Sequence, residues 1–438
     1  MSYDVIIVGG GTSGCAAAYM CGKLGLKTLL LEKGIHLGGT ITSGLVVPVM
    51  MSGNHQINTE FYKILISELQ KIGAQVTYMG NPGWFNPELT KIVLDKMMKD
   101  VNVEVRFNAE VKDVKYSKNR VYSIEVNKEI LSVYNEAVDT DNNTLPKYKP
   151  LSVYIEAKYF VDATGNCDFS NQINCQFLEM NSEYQPMSLR FTMSGIDIDK
   201  FGKWLLEFDK DRSVTTVENI DGCTHLSTAY TWDTDKHWAL APLFNKAVEL
   251  GELKDTDRNY FQVFTIAGMP NSIAFNCPRI VENLNPNLVK DTTKALQQGR
   301  ESILRLSNFC KKYFPGFENA YISNIADYLG IRVSNRVKGK YFYTIEDLKS
   351  GKKFEHPALI SNYPVDVHNK NKNTSTLEFT GEYQLPIESL MSYDYDNLFI
   401  IGRGISADYM AQGALRVQSS CFSMGEAVAK FIKEKLSA

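Results

Sequence analysis

The 438-residue sequence has eight cysteines but no Cys-x-x-Cys pair, and no cysteine and histidine cluster at zinc-finger spacing. It therefore predicts neither a dithiol redox centre nor a metal site, and Cys167 and Cys175 read as buried free thiols. An excess of charge is also missing. The 47 Lys and Arg residues against 50 Asp and Glu leave a net charge of -3, which gives nucleic acid or an anionic membrane nothing to hold. No apolar run reaches the roughly 18 residues of a membrane span. The early stretch Val5 to Val8 follows Asp4 and runs into glycines, unlike a signal peptide with its basic start. These absences predict a cytoplasmic protein whose partner is a small molecule. The length suits two domains, each large enough to bury a core.

What is present starts at once. Val5-Ile6-Ile7-Val8 reads as a continuous apolar strand, followed by Gly9-Gly10-Gly11-Thr12-Ser13-Gly14, a small-residue helix from about Ser13 to Leu24, and a second strand from Thr28 to Glu32. Strands of this kind belong inside a parallel sheet covered on both faces. A helix is expected around residues 58 to 72, and another at Asn86-Pro87-Glu88, where Asn can cap and Pro suits the first helical position. From Val103 to Val126 short alternating strands, with a turn at Lys118-Asn119-Arg120, read as a β-meander; a polar stretch near Asp139 to Asn143 and a strand from Leu151 to Val161 follow. Between about Asn181 and Leu385 aromatic residues are dense, among them Tyr230, Trp232, Trp238, Tyr260, Phe261 and Phe264. Near the end come a strand, Leu398 to Ile401, a glycine-rich loop, and a closing helix from about Val417 to Lys435.

In Gly9-x-Gly11-x-x-Gly14 the first glycine can make the tight turn, the second can admit a pyrophosphate, and the third lets helix and strand pack. The helix N-terminus offers free N–H groups and partial positive charge to phosphates. Glu32, about 20 residues on, can accept hydrogen bonds from a ribose diol. The string from Asp4 to Gly39, with Gly38-Gly39 after the acid, resembles the extended FAD fingerprint of the glutathione-reductase-like flavoproteins. Val161-Asp162-Ala163-Thr164-Gly165 resembles their ATG segment, and Asn397 to Arg403 resembles the late strand that meets the FAD ribityl and phosphate region. Arg403 to Asp408, Gly413 to Val417 and Gly425 to Val428 are similar to a bacterial group of FAD-dependent oxidoreductases related to fumarate reductase and succinate dehydrogenase flavoproteins.

The resemblance implies a Rossmann-like α/β FAD-binding domain, with parallel sheet and β-meander, over residues 1–180 and 390–438, and an inserted α+β substrate domain over 181–389. It implies FAD contacts at Gly9, Gly11, Thr12, Ser13, Gly14, Glu32, Lys33, Gly38, Gly39, Thr40, Val111, Ala163, Thr164, Gly165, Gly402, Arg403, Asp408, Arg416 and Val417. Leu329-Gly330-Ile331-Arg332 and Tyr363 to His368 fit the bacterial group too, although Val333 stands where that group has an acidic residue.

Flavin reduction puts negative charge on the N1/C2=O edge, for which a helix N-terminus is a fixed positive partner. The resemblance puts that edge near Arg416 and the backbone of Val417 and Gln418; the alternative for Arg416 is a surface ion pair. Substrate must lie against the flavin with a group able to move a proton. Arg332, Arg336, Asp366 and His368 are the candidates, with Arg190, His55 and Tyr363 behind them, and His36 reads as packing beside the cofactor. The function expected is hydride transfer between flavin and a small organic substrate, with a separate electron carrier as a possible partner. A flavin monooxygenase and a cofactor-free binding module are the alternatives.

Overall fold

The computed structural model describes residues 2–50, 57–127, 154–179, 184–231, 238–368, 374–377 and 381–438. Val5, Ile6 and Ile7 have no exposed surface, as a strand covered on both faces requires, and they put the strand Ser2–Val8 inside a seven-stranded sheet. It pairs in parallel with Thr28–Leu31 on one side and Tyr154–Asp162 on the other. Glu104–Arg106 continues the sheet beyond Thr28–Leu31, again in parallel. The far edge of Tyr154–Asp162 is shared. Its first residues pair antiparallel with Arg120–Val126, and its last pair in parallel with Leu398–Ile400. The end of the chain thus returns to the sheet that the beginning founds.

The expected meander from Val103 to Val126 is corrected in part. Val111–Ser117 and Arg120–Val126 do form an antiparallel hairpin, but Glu104–Arg106 belongs to the parallel sheet, opposite Leu29 to Leu31. Three residues are too few to display a period that separates the two cases. The strand expected from Leu151 is described from Tyr154 onward, and the polar stretch near Asp139 lies outside the described residues.

Helix Thr12–Lys23 carries almost only small residues on its buried face, and the closing helix Gln418–Ser437 packs directly on it. A Cβ on Gly425 would lie 2.4 Å from the Ser13 carbonyl oxygen, so the two backbones meet where no side chain fits. Helix Pro87–Asp100 begins as its sequence predicts: Asn86 Oδ1 accepts from Glu88 N and Leu89 N at 3.0 and 3.1 Å.

The second layer is a six-stranded antiparallel sheet in the order Thr215–Ile220, Cys223–Thr231, Tyr260–Ile266, Met269–Phe275, Phe191–Ser194 and Tyr321–Ile325. The aromatic density is its core: Trp238, Phe244, Phe261, Phe309 and Phe314 pack together with the long helix Val289–Tyr313. Trp232 and the Tyr230 side chain lie outside the described residues. Tyr343, Leu359, Val365 and Tyr383 bury instead in the core that contains Val5 and Ile7.

Candidate active site

The three motif glycines of the first turn, Gly9, Gly11 and Gly14, do two different things. A Cβ on Gly9, whose φ is +104°, would lie 2.5 Å from the Ala163 carbonyl oxygen, and one on Gly14 only 1.9 Å from the Gly9 oxygen. A Cβ on Gly11 would meet no atom within 4 Å. Two glycines are therefore demanded by protein packing, while the third keeps clear the space in front of the helix Thr12–Lys23. No side chain caps that helix, so its first-turn N–H groups are available to an acceptor from outside the helix. Glu32 is fixed by two backbone amides, Gly10 N to Oε2 and Gly34 N to Oε1, both at 2.7 Å. Its oxygens retain further lone pairs for a diol.

The loops around this turn are tied to it. Gly38 and Gly39 have φ of +94° and +55°, and a Cβ on Gly39 would lie 2.8 Å from Gly11 Cα. Thr12 Oγ1 bonds Thr40 Oγ1 at 2.8 Å and donates to the Gly38 carbonyl at 3.2 Å. Gly402 comes over the helix start, where a Cβ would lie 3.0 Å from Ser13 Oγ. The donor set, the clear space at Gly11 and the fixed carboxylate fit a dinucleotide at this turn.

Asp162 was not singled out by sequence, yet it organises the next segment. It is fully buried and accepts four hydrogen bonds: Thr164 N at 3.0 Å, Thr164 Oγ1 at 2.7 Å, Ser170 N at 2.8 Å and Ser170 Oγ at 2.6 Å. Burial pushes its carboxyl up in spite of those bonds. Ala163 continues the strand edge through its N–H to the Val8 carbonyl at 2.8 Å. Gly165 leaves room for Arg403, which donates to Asn166 Oδ1 at 2.6 Å. Val111 offers its carbonyl to Gln172 at 3.0 Å, and Lys33 is exposed beside Asp168.

The Asp408 carboxylate is occupied by the protein. It caps the helix Tyr409–Leu415 by accepting from Ala411 N at 2.7 Å and also takes the Ile345 amide. Val417 is the cap residue of the closing helix, with no side chain capping it.

The candidate catalytic residues separate into two places. Arg336 donates to the backbone carbonyls of Ala407 at 2.7 Å and Glu179 at 3.2 Å, and its charged neighbour is Asp408. It does not join Arg332, as the sequence reading supposed. Arg332, Asp366 and His368 do come together, with Arg416 and Arg190, which the sequence also offered, and with Arg279, which it did not. Arg416 donates to Asp366 Oδ2 at 3.2 Å and to the Asp366 carbonyl at 2.8 Å, so its partner is half-buried inside the fold rather than on the open surface. Arg279 lies over the Tyr260 ring at 4.0 Å and donates to His368 Nδ1 at 2.5 Å. Nδ1 must then accept, which puts the ring proton on Nε2, where it is donated to Asp366 Oδ2 at 3.2 Å. Both ring nitrogens are engaged within the protein.

Arg190 completes the group, donating from Nε to Asn276 Oδ1 at 2.6 Å; Asn276 in turn donates to the Tyr260 hydroxyl and to Gln262 Oε1. Burial pushes the Arg190 guanidinium down to about 10, and neighbouring Arg416 acts in the same direction. Arg332 is driven well below its ordinary value, first by burial and then by Arg279, Arg190 and Arg416. The imidazole of His368 is likewise pushed well down by burial and by Arg332, so it is neutral at pH 7. Asp366 is held well below the usual carboxylate range by His368, Arg416 and Arg332, which outweigh its burial. Val333, buried where a carboxylate was expected, brings Arg332 no counter-charge.

Of the remaining candidates, Tyr363 has Asp366 and Arg416 as its charged neighbours, His36 is half-buried near Asp95, and His55 lies outside the described residues. Cys167 and Cys175 are buried thiols, both pushed up by burial.

The profile of the family described as FAD dependent oxidoreductase matches residues 4–434. The chain belongs to that family. It is an FAD-dependent oxidoreductase, and FAD is its cofactor. It is 29% identical over 174 residues to thiamine thiazole synthase of Metallosphaera sedula, a match covering 37% of this chain and 54% of that protein. The enzyme of the same name from Saccharolobus solfataricus is 27% identical over 174 residues, covering 37% and 55%. The chain thus spans about half the length of the curated relatives it matches. Among solved structures, a geranylgeranyl bacteriochlorophyll reductase-like protein from Thermoplasma acidophilum aligns with a TM-score of 0.47 and 13% identity over 100% of this chain and 79% of that one. The p-nitrophenol 4-monooxygenase of Pseudomonas putida aligns with a TM-score of 0.45 and 12% identity over 99% and 80%. At these scores the likeness says nothing of activity. No helix among the described residues is long and apolar enough to cross a membrane.

Proposed function

We propose that the protein is a dehydrogenase or reductase that moves a hydride between FAD and a small organic substrate, in the manner of the glutathione-reductase-like flavoproteins. The observation that carries this reading is the convergence of buried Arg332 and His368 with half-buried Asp366 and Arg416 next to the uncapped start of the closing helix. FAD, when bound, supplies the two-electron chemistry. The turn at Gly9 to Gly14 would hold its phosphates through the N–H groups of Thr12, Ser13 and Gly14, and Glu32 would take a ribose diol. The start of the Gln418–Ser437 helix would serve as the fixed positive partner of the flavin edge on which charge grows.

His368, engaged at both nitrogens, keeps Arg279 and Asp366 in place and is a positioning residue. Tyr260 of the antiparallel sheet, Arg190 just before its strand Phe191–Ser194 and Arg279 of the short strand Arg279–Ile280 face Asp366 and His368 of the strand Val365–His368 and Arg416 at the end of the helix Tyr409–Leu415. We take the layer built from the antiparallel sheet as the substrate domain and the parallel sheet with its returning C-terminal strand as the FAD domain. The cytoplasm is the setting that suits this chemistry, with a separate carrier exchanging electrons when a second substrate does not.

The test is an anaerobic screen of organic substrates against the purified yellow protein, following bleaching of the flavin. Saturable bleaching by a substrate supports hydride transfer. NADPH-driven oxygen uptake that depends on an aromatic substrate would replace this reading with a monooxygenase.

A further inference from the structure

The buried group next to the closing helix contains four guanidiniums, Arg190, Arg279, Arg332 and Arg416, and one carboxylate, Asp366. Arg190, Arg279 and Arg332 are each less than a tenth exposed. Among the described residues only Arg416 has an ion-pair partner in this group; Arg190, Arg279 and Arg332 have none. Their hydrogen bonds go to neutral acceptors: Asn276 Oδ1, His368 Nδ1 and the Pro186 carbonyl. Three buried donors of this group have no acceptor among the described residues: Arg279 Nε, Arg416 Nε and Gln185 Nε2. Gln185 Oε1 meanwhile accepts from His368 N at 3.2 Å and faces Arg416 Nη2 at 3.5 Å, which points its amide group into the same cluster.

Buried positive charge without counter-charge is destabilising by itself, and proteins keep it where something else supplies the negative charge. The protein also makes space for this excess. A Cβ on Gly330 would lie 2.4 Å from Arg190 Nη1, so a larger residue there would make the guanidinium shift from its present position.

We propose that Arg190, Arg279, Arg332 and Arg416 form the binding site for the substrate, and that the substrate is a small organic acid carrying at least two negative charges. This rests on the hydride-transfer reading for the word substrate, but the anion site stands on the charge count and the orphaned donors. Each guanidinium presents a planar fork that matches a carboxylate or a phosphate group. The excess over Asp366 calls for more than one such group. Burial in the interior restricts the ligand to a small molecule.

Holoenzyme titrated with malonate, with inorganic phosphate and with acetate, at an ionic strength held constant with sodium chloride, tests this. Malonate or phosphate should perturb the flavin spectrum saturably and raise the Tm, while acetate does so far more weakly; the stronger of the two dianions tells carboxylate from phosphate recognition. Arg190→Met should raise the Tm of the ligand-free protein, because it removes a buried unpaired charge. It should also weaken the dianion by about 30-fold or more. A purely structural arginine would move the first readout the other way. If Arg190→Met does not accumulate, Arg190→Gln, which keeps a donor for Asn276, carries the same two readouts.

The proposal is overturned if neither dianion gives a saturable response, or if the variants lower the ligand-free Tm and leave the response intact. Saturable dianion binding to a protein whose flavin no organic substrate reduces would keep the anion site and remove the hydride reading. Rapid reduction by uncharged substrates without any dianion response would do the reverse.

Discussion

Gly11 and Gly14 belong to one motif, and the structure predicts opposite consequences for changing them. A Cβ on Gly11 meets nothing within 4 Å, and its φ of -74° is ordinary for any residue. Loss of glycine freedom in the unfolded chain favours Gly11→Ala by about 0.4–1 kcal/mol, and the poorer cap costs a similar amount. The apoprotein should therefore unfold at nearly the wild-type temperature. FAD should suffer, since the new methyl group, and more so the branched side chain of Gly11→Val, occupies the path by which phosphate reaches the helix N–H groups. Losing two hydrogen bonds to a charged acceptor at about 1.5–3 kcal/mol each weakens FAD by roughly 3–6 kcal/mol, on the order of 10²- to 10⁴-fold. Gly14→Ala places a Cβ 1.9 Å from the Gly9 carbonyl oxygen, and it should lower the Tm of the apoprotein itself. Stripped protein titrated with FAD by fluorescence quenching, beside thermal melts of the same apoproteins, separates the two. Full FAD occupancy in Gly11→Val would show that the cofactor does not enter at this turn.

Only one dinucleotide turn is present in the sequence, so neither NADH nor NADPH should reduce the flavin rapidly and saturably; stopped-flow mixing under argon decides this. Asp162→Ala removes the acceptor of four hydrogen bonds in a fully buried place. With each stranded donor costing about 1–3 kcal/mol, urea unfolding should show a loss of about 3 kcal/mol or more, and an unchanged midpoint would contradict the burial of that network. His368 is held neutral, its imidazole pushed down first by burial and then by Arg332, against the pull of Asp366. The unfolded chain therefore takes up a proton near pH 6.5 that the folded chain refuses, and stability should decline as pH falls from about 7 to 5. His368→Gln should flatten that decline, leaving the smaller slope from His225, which burial also pushes down; an unaltered slope would mean that His368 is charged in the fold.

The parts of this protein that the sequence discloses are those fixed by short range. Continuous burial of Val5, Ile6 and Ile7 follows from an apolar run, the Asn86 cap from one side chain reaching the next residues, and the dinucleotide turn from three glycines within six positions. Glu104–Arg106 was misplaced because three residues carry no period. The six-stranded sheet was visible only as aromatic density: two of its pairings are tight hairpins, but Phe191–Ser194 joins Met269–Phe275 and Tyr321–Ile325 across long intervals that no local pattern discloses. Asp162 stayed hidden inside a recognised segment, because its importance lies in Ser170, which only the fold brings to it.

The arginine group shows the same limit in electrostatic terms. Arg190, Arg279, Arg332 and Arg416 stand far apart in the chain, and Arg336, closer to Arg332 in sequence than any of them, goes elsewhere to bond the carbonyls of Ala407 and Glu179. A net charge of -3 sums surface and interior alike, and it argues against a polyanionic macromolecule because such a partner reads the surface. A small acid reads only what is buried with it, and there the balance has the opposite sign: four guanidiniums against Asp366. The departure at Val333 acquires its meaning from this. An acidic residue beside Arg332 would have neutralised part of the excess from within, and a buried valine leaves that charge for the ligand to supply. Val333→Asp should then stabilise the ligand-free protein less than it harms dianion binding, since the new carboxylate is desolvated but competes directly for Arg332. Malonate titration of that variant reads the competition, and undiminished malonate binding would place the anion away from Arg332.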